Sequence, residues 1–186
     1  AYYTVLQNAL VRRNFSLDGQ DSIVYDGELS QVQAIQNVAV ANVYGLQAGL
    51  ELKFPSGIGF SSDFNFQKGE EELDDGTTSP SRHAAPAYGV ARLNYQVNKL
   101  HLQFYANYMA ERKHDDLPFG EQKKVELYAK DADGNTYAPA WYTFNIKAMY
   151  NLAEIFTVNV GIENLADMRY RPYSSGISAP GRNFIL

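Results

Sequence analysis

The chain contains no cysteine. That removes disulfide frameworks, thiolate metal sites and cysteine nucleophiles. It also lacks any apolar run approaching the roughly 20 residues that a membrane-spanning helix needs. Lys and Arg form no long run, and with a net charge of −5 and a pI near 5.2 the chain offers no nucleic-acid-binding surface. There is no P-loop, no Gly-x-Gly-x-x-Gly and no nucleophile–base spacing, so no residue is assigned a catalytic role and no cofactor is expected. None of these absences excludes a membrane protein built of strands. Such a strand crosses in about 9–11 residues, and only every second one faces lipid. A mean hydropathy of −0.36 is compatible with that pattern.

What is abundant is aromatic and alternating. Fourteen Tyr, ten Phe and one Trp are present, 45% of the 186 residues are hydrophobic, and tyrosine suits half-wet surfaces such as membrane interfaces. Period-2 alternation recurs along the chain. Tyr142, Phe144, Ile146, Ala148 and Tyr150 oppose Thr143, Asn145, Lys147, Met149 and Asn151. Phe156, Val158, Val160 and Ile162 oppose Thr157, Asn159, Gly161 and Glu163. Leu100, Leu102, Phe104, Ala106 and Tyr108 oppose His101, Gln103, Tyr105, Asn107 and Met109. Residues 44–54 alternate the same way, and 58–67 and 92–97 do so more loosely. With less regular runs at 2–11 and 181–186, the pattern predicts eight strands.

Alternation does not say which face meets what, but the connections do. Strands two and three join at Pro55-Ser56-Gly57, four and five at Asn98-Lys99, and six and seven near Leu152-Ala153-Glu154. The other connections, 13–39, 70–86, 110–140 and 166–180, are long and polar. Tight turns at one end and long loops at the other are the habit of outer-membrane barrels, with periplasmic turns and extracellular loops. The fold expected is therefore all-β: antiparallel, up-and-down transmembrane barrel strands, apolar face to lipid and polar face to the lumen. Tyr44, Phe54, Tyr108, Tyr142, Tyr150 and Phe156 fall near strand ends, as interface girdles do.

The tail is the most specific segment. Gly161-Ile162-Glu163-Asn164-Leu165-Ala166-Asp167-Met168-Arg169-Tyr170, then Ala179-Pro180-Gly181-Arg182-Asn183-Phe184, resembles the end of TonB-dependent outer-membrane receptors. There a strand closes on Asn-Leu-x-Asp-x-x-Tyr and a Pro-Gly-Arg opens the last strand. Asn164 and Asp167 can turn the chain through side-chain-to-backbone bonds, and Tyr170 can anchor the rim. The segments Val24-Tyr25-Asp26-Gly27-Glu28 leading to Asn37 and Gly45, Ala85-Pro86-Ala87-Tyr88-Gly89, and Pro139-Ala140-Trp141-Tyr142 look familial too. The resemblance implies that residues 1–186 are the C-terminal part of a barrel of about 22 strands whose lumen holds a plug. It implies TonB-energised uptake of a scarce ligand such as a siderophore, haem or cobalamin, across the outer membrane of a Gram-negative bacterium. The partners implied are the remaining barrel and plug, TonB acting through the N-terminal part, membrane lipid and lipopolysaccharide, and an extracellular small molecule. Because the chain starts inside a strand-like run without a signal peptide, and ends on a short one, it is expected to lack the front of the receptor and its last few residues. A small closed eight-stranded membrane barrel with structural or adhesive loops, and a soluble ligand-binding barrel with its apolar faces turned inward, are the alternatives.

Other motifs read as ordinary surface features. Asp131-Ala132-Asp133-Gly134-Asn135 lacks the ligand spacing of a calcium loop and is expected to be a hairpin turn. Glu70, Glu71, Glu72, Asp74 and Asp75 are read as a solvated acidic loop. His83, His101 and His114 share no metal-ligand spacing; His101 should face the lumen and the other two lie in outer loops. No metal-binding residue is assigned, and the ligand-binding residues are left unknown.

Overall fold

The computed structural model describes residues 1–7, 10–37, 40–73, 76–82 and 84–186. Asp74, Asp75 and His83 thus lie outside the described residues. The strands are β1 (Tyr2–Gln7), β2 (Leu10–Asn14), β3 (Ser22–Tyr25), β4 (Glu28–Gln31), β5 (Gln33–Asn37), β6 (Val40–Lys53), β7 (Ile58–Glu72), β8 (Thr78–Pro80), β9 (Tyr88–Val97), β10 (Leu100–Met109), β11 (Ala129–Lys130), β12 (Thr136–Tyr137), β13 (Trp141–Ala153), β14 (Phe156–Glu163) and β15 (Asn183–Ile185). Eight of them, β1-β6-β7-β9-β10-β13-β14-β15, make one antiparallel sheet, with β8 pairing β7 off that path. These are the eight expected strands. The sheet is open, because β1 and β15 are its edges and do not meet. The closed eight-stranded alternative is therefore not what this chain forms.

Register makes the two faces consistent from strand to strand. Leu46 stands opposite Phe66, Phe60 opposite Leu93, Leu93 opposite Phe104, Phe104 opposite Ile146, and Ile146 opposite Ile162. One residue along, Gln47 faces Asn65, Ser61 faces Arg92, Gln103 faces both Asn94 and Lys147, and Glu163 faces Asn183. Since side chains alternate with period 2, each pairing carries its own kind onto the same face. Tyr108 pairs with Tyr142 at the loop end, while Tyr150 and Phe156 lie at the turn end.

The polar face is concave. Glu51, Asn94, Gln103, Lys147, Asn159 and Ile185, one from each of six strands, border a single hollow of about 740 Å³. The apolar face is left bare: Leu50 is 52% exposed, Leu93 51%, Phe104 41% and Val160 43%. A soluble barrel would bury that face. Two outer-end glycines are covered by tyrosines from the neighbouring strand. A Cβ on Gly89 would collide with the Asp63 carbonyl and with Tyr108, and one on Gly45 would collide with the Phe66 carbonyl and with Tyr2, so only glycine lets these rings lie on the sheet.

The first long connection differs from its expected form. Residues 13–39 were expected as loop, with strand one running to Val11; instead Leu10 and Val11 belong to a ribbon in which β2 pairs β5 and β3 pairs β4. Two Asp-Gly turns shape it. Asp18 and Gly19 have φ of 51° and 78°, and Asp26 and Gly27 have 52° and 81°, the paired left-handed geometry that tight hairpins require. Likewise Glu70, Glu71 and Glu72 form the end of β7, pairing with β8, rather than a loop.

Candidate functional site

Two regions carry polar chemistry: the concave wall, and the connections beyond the outer strand ends. On the wall, cross-strand pairs dominate. Arg92 Nη1 reaches Asp63 Oδ2 at 2.6 Å, and Gln103 Nε2 donates to Asn94 Oδ1 at 2.8 Å. Lys147 Nζ lies 3.2 Å from Glu163 Oε1 and 5.1 Å from the centre of the Tyr105 ring, whose hydroxyl donates to the same carboxylate at 2.9 Å. His101 borders the hollow, as expected. This is a surface of mixed charge and amide groups, suited to water and to a polar partner.

The tail motif is built as its residue types suggest. Asn164, only 3% exposed, has φ of 51° and ties both sides of its turn. Its Oδ1 accepts from Met168 N–H at 2.8 Å, and its Nδ2 donates to the carbonyls of Met168 at 2.8 Å and Pro180 at 3.3 Å. Its backbone N–H donates to Asn145 Oδ1 at 2.8 Å, fastening the turn to β13. Asp167, at φ of 53°, accepts from Arg182 N–H at 2.7 Å. Gly181 leaves room beside it, since an added Cβ would stand 2.6 Å from Asp167 Oδ1 and the carboxylate would have to shift. Tyr170 packs on Trp141, ring centres 4.2 Å apart.

The connection 110–140 folds into a cap, with contributions from 70–86 and 166–180. Its apolar centre is Leu117, Tyr128 and Ala138, with Leu127 and Tyr173 packed against them. Glu121 is buried there, and its Oε2 accepts from the Tyr128 hydroxyl at 2.5 Å while Arg82 Nε lies 3.6 Å from Oε1. Burial, and next the bond to Glu121, hold the Tyr128 hydroxyl far above the ordinary tyrosine value. Burial likewise raises Tyr173 and Tyr170. Arg112 donates to the carbonyls of Asp116, at 2.8 Å, and Ala84, and its guanidinium lies 5.7 Å from the centre of the Tyr173 ring. Ser79 Oγ accepts from Phe119 N–H at 3.2 Å.

His114 contributes to the cap, its Nδ1 3.0 Å from the Thr136 carbonyl. The Asp131–Asn135 segment is the hairpin expected of it. It joins β11 to β12, with Asp131 Oδ1 accepting from Asp133 N–H at 3.0 Å and Asn135 N–H at 2.8 Å, and Gly134 at φ of 86°. Among the described residues no three His, Cys, Asp or Glu side chains are gathered as a metal site. Sequence reasoning missed Arg112, Leu117, Glu121, Tyr128 and Tyr173; the signal available was their clustering of aromatic and apolar residues inside an otherwise polar connection.

No protein-family model and no curated protein matches the chain. Solved structures do. The chain is similar over 98% of its length to a copper transporter, OprC, at 14% identity and a TM-score of 0.69. It is similar over 98% to the FrpB iron transporter of Neisseria meningitidis at 16% and 0.65, and over 98% to the ferric enterobactin receptor PfeA of Pseudomonas aeruginosa at 17% and 0.65. It spans about a quarter of each, 26%, 26% and 27% of their lengths respectively. The chain has the fold of part of the barrel of TonB-dependent outer-membrane receptors, the family that its tail resembles.

Proposed function

We propose that residues 1–186 are the C-terminal portion of a TonB-dependent receptor barrel in the outer membrane of a Gram-negative bacterium. The whole protein admits a scarce ligand, in the class of siderophores, haem or cobalamin, with energy delivered through TonB and a plug outside this chain. The carrying observation is the inverted polarity of the wall, an exposed apolar face with a concave polar face behind it. An exposed apolar belt across a curved sheet is stable in lipid, where the backbone bonds between strands. The similar solved structures, described as transporters and receptors, support the import reading. The polar wall would face the plug, the turn ends the periplasm, and the cap the cell exterior.

Topology is testable in intact cells making the full-length protein. Ala132→Cys, in the cap hairpin, should react with a membrane-impermeant maleimide, and Ser56→Cys, in the tight turn between β6 and β7, should react only after the outer membrane is opened. The reverse pattern, or equal labelling, would sink the orientation. Import is tested separately by uptake of radiolabelled iron with and without TonB; uptake indifferent to TonB would indicate a plain pore.

A further inference from the structure

The cap encloses a second cavity, of about 350 Å³, between the 110–140 connection, the start of β13 and the 166–180 connection. Three properties define what it can hold. Its walls are flat, because the rings of Tyr128, Trp141, Tyr170 and Tyr173 border it. Its charge is of one sign: Arg169 and Arg171 border it, and its described lining contains no Asp or Glu. Arg171 spends one N–H on the Glu126 carbonyl at 3.0 Å, and Arg169 has no hydrogen-bond or ion-pair partner among the described residues. Finally, Trp141, whose residue borders the cavity, has its Nε1 buried without a hydrogen-bond partner, so that N–H is sealed off behind the ring, a condition that buried polar groups rarely keep.

We infer that this cavity binds a planar aromatic ring carrying an anionic oxygen group, of the aromatic carboxylate class. The rings supply faces for stacking, and the guanidiniums match a carboxylate. A sugar leaves the positive charge unmatched; an aliphatic acid matches the charge but not the flat walls. The volume, near the lower end of the roughly 300–1,000 Å³ usual for ligand sites, fits one substituted ring rather than a macrocycle. This deepens the receptor reading and rests on it only in taking the cap as external.

Full-length protein in detergent, labelled with fluorotryptophan, tests the idea by fluorine NMR. Loss of a resonance in Trp141→Phe assigns that of Trp141. If that variant folds poorly, displacement of the resonance in Tyr170→Leu assigns it, since that ring lies 4.2 Å away. Titration with para-hydroxybenzoate should shift the resonance saturably, and Arg169→Gln should weaken the binding about tenfold. Cyclohexanecarboxylate and glucose should leave it in place. No shift at millimolar para-hydroxybenzoate, an equal shift with cyclohexanecarboxylate, a shift with glucose alone, or indifference to Arg169→Gln would each overturn the proposal. Maleimide labelling of Ala132→Cys reports the orientation independently, so a correctly labelled cap with a silent Trp141 rejects the cavity ligand and leaves the receptor reading standing.

Discussion

In the spanning wall, Leu50 and Leu93 stand on an open face, about half exposed, whereas in the cap Leu117 is completely buried. Charged groups follow the opposite rule. Arg92 and Asp63 meet on the wet side of the wall, while Glu121 and Arg112 are enclosed among aromatic rings in the cap. In the proposed barrel the wall leaves its apolar surface for a solvent that is itself apolar, and its cohesion comes from the backbone ladder. The cap folds as a water-soluble domain does, around a small apolar centre, with Glu121 facing Arg82 and the Arg112 guanidinium hydrogen-bonded to backbone carbonyls. One chain therefore obeys two solvent rules, and the boundary lies near the outer ends of β10 and β13.

The comparison can be broken where each region is most committed. Leu117→Ala should cost the cap about 2–5 kcal/mol, as for other buried leucines. It should show as faster proteolysis and amide exchange across 112–138, with β10 and β13 unchanged. Loss of protection in the strands as well would mean that cap and wall are one unit. On the wall, Phe104→Arg and Gln103→Arg place the same charge one residue apart on opposite faces. The first should destabilise the barrel by about 2–4 kcal/mol near the bilayer centre, and the second far less. Urea titration of full-length protein refolded into lipid vesicles would separate them, and equal costs would contradict the facing. The mildest effect is on pH. Below about pH 10 the Tyr128 hydroxyl is protonated whether the cap is folded or not, so it adds no pH dependence. Above that the unfolded form ionises first while the folded cap keeps its proton, so cap stability falls as pH rises. Protection of the cap from protease should drop at least roughly tenfold by about pH 11, and Tyr128→Phe should lessen that drop, leaving the share of Tyr173 and Tyr170.

Much of the wall was legible because period 2 is a local signal: Phe104 beside Gln103 declares its face without knowledge of a partner. The turn residues Asn164 and Asp167 were legible for the same reason, since short polar side chains bond to backbone nearby. Legibility failed where charge masked alternation, as at Glu70–Glu72, which continue β7 beyond its apolar part. It failed in 13–39 because the two Asp-Gly pairs, though strong hairpin signals, sit in segments too short to show a period. The cap was opaque for another reason. Glu121 meets Tyr128 within its own connection but Arg82 from another, and Arg112 meets Ala84 and Tyr173 from two others, contacts that no spacing announces.

The open sheet has a consequence for handling the molecule. Along β1 and the turn-end half of β14, one row of amide and carbonyl groups has no neighbouring strand in the described sheet. Such rows are templates that accept any extended chain, including their own kind. Expressed by itself, a wall of this span would grow sideways into ribbons instead of remaining a monomer, so each stave of the cask is trustworthy only while its hoop is closed.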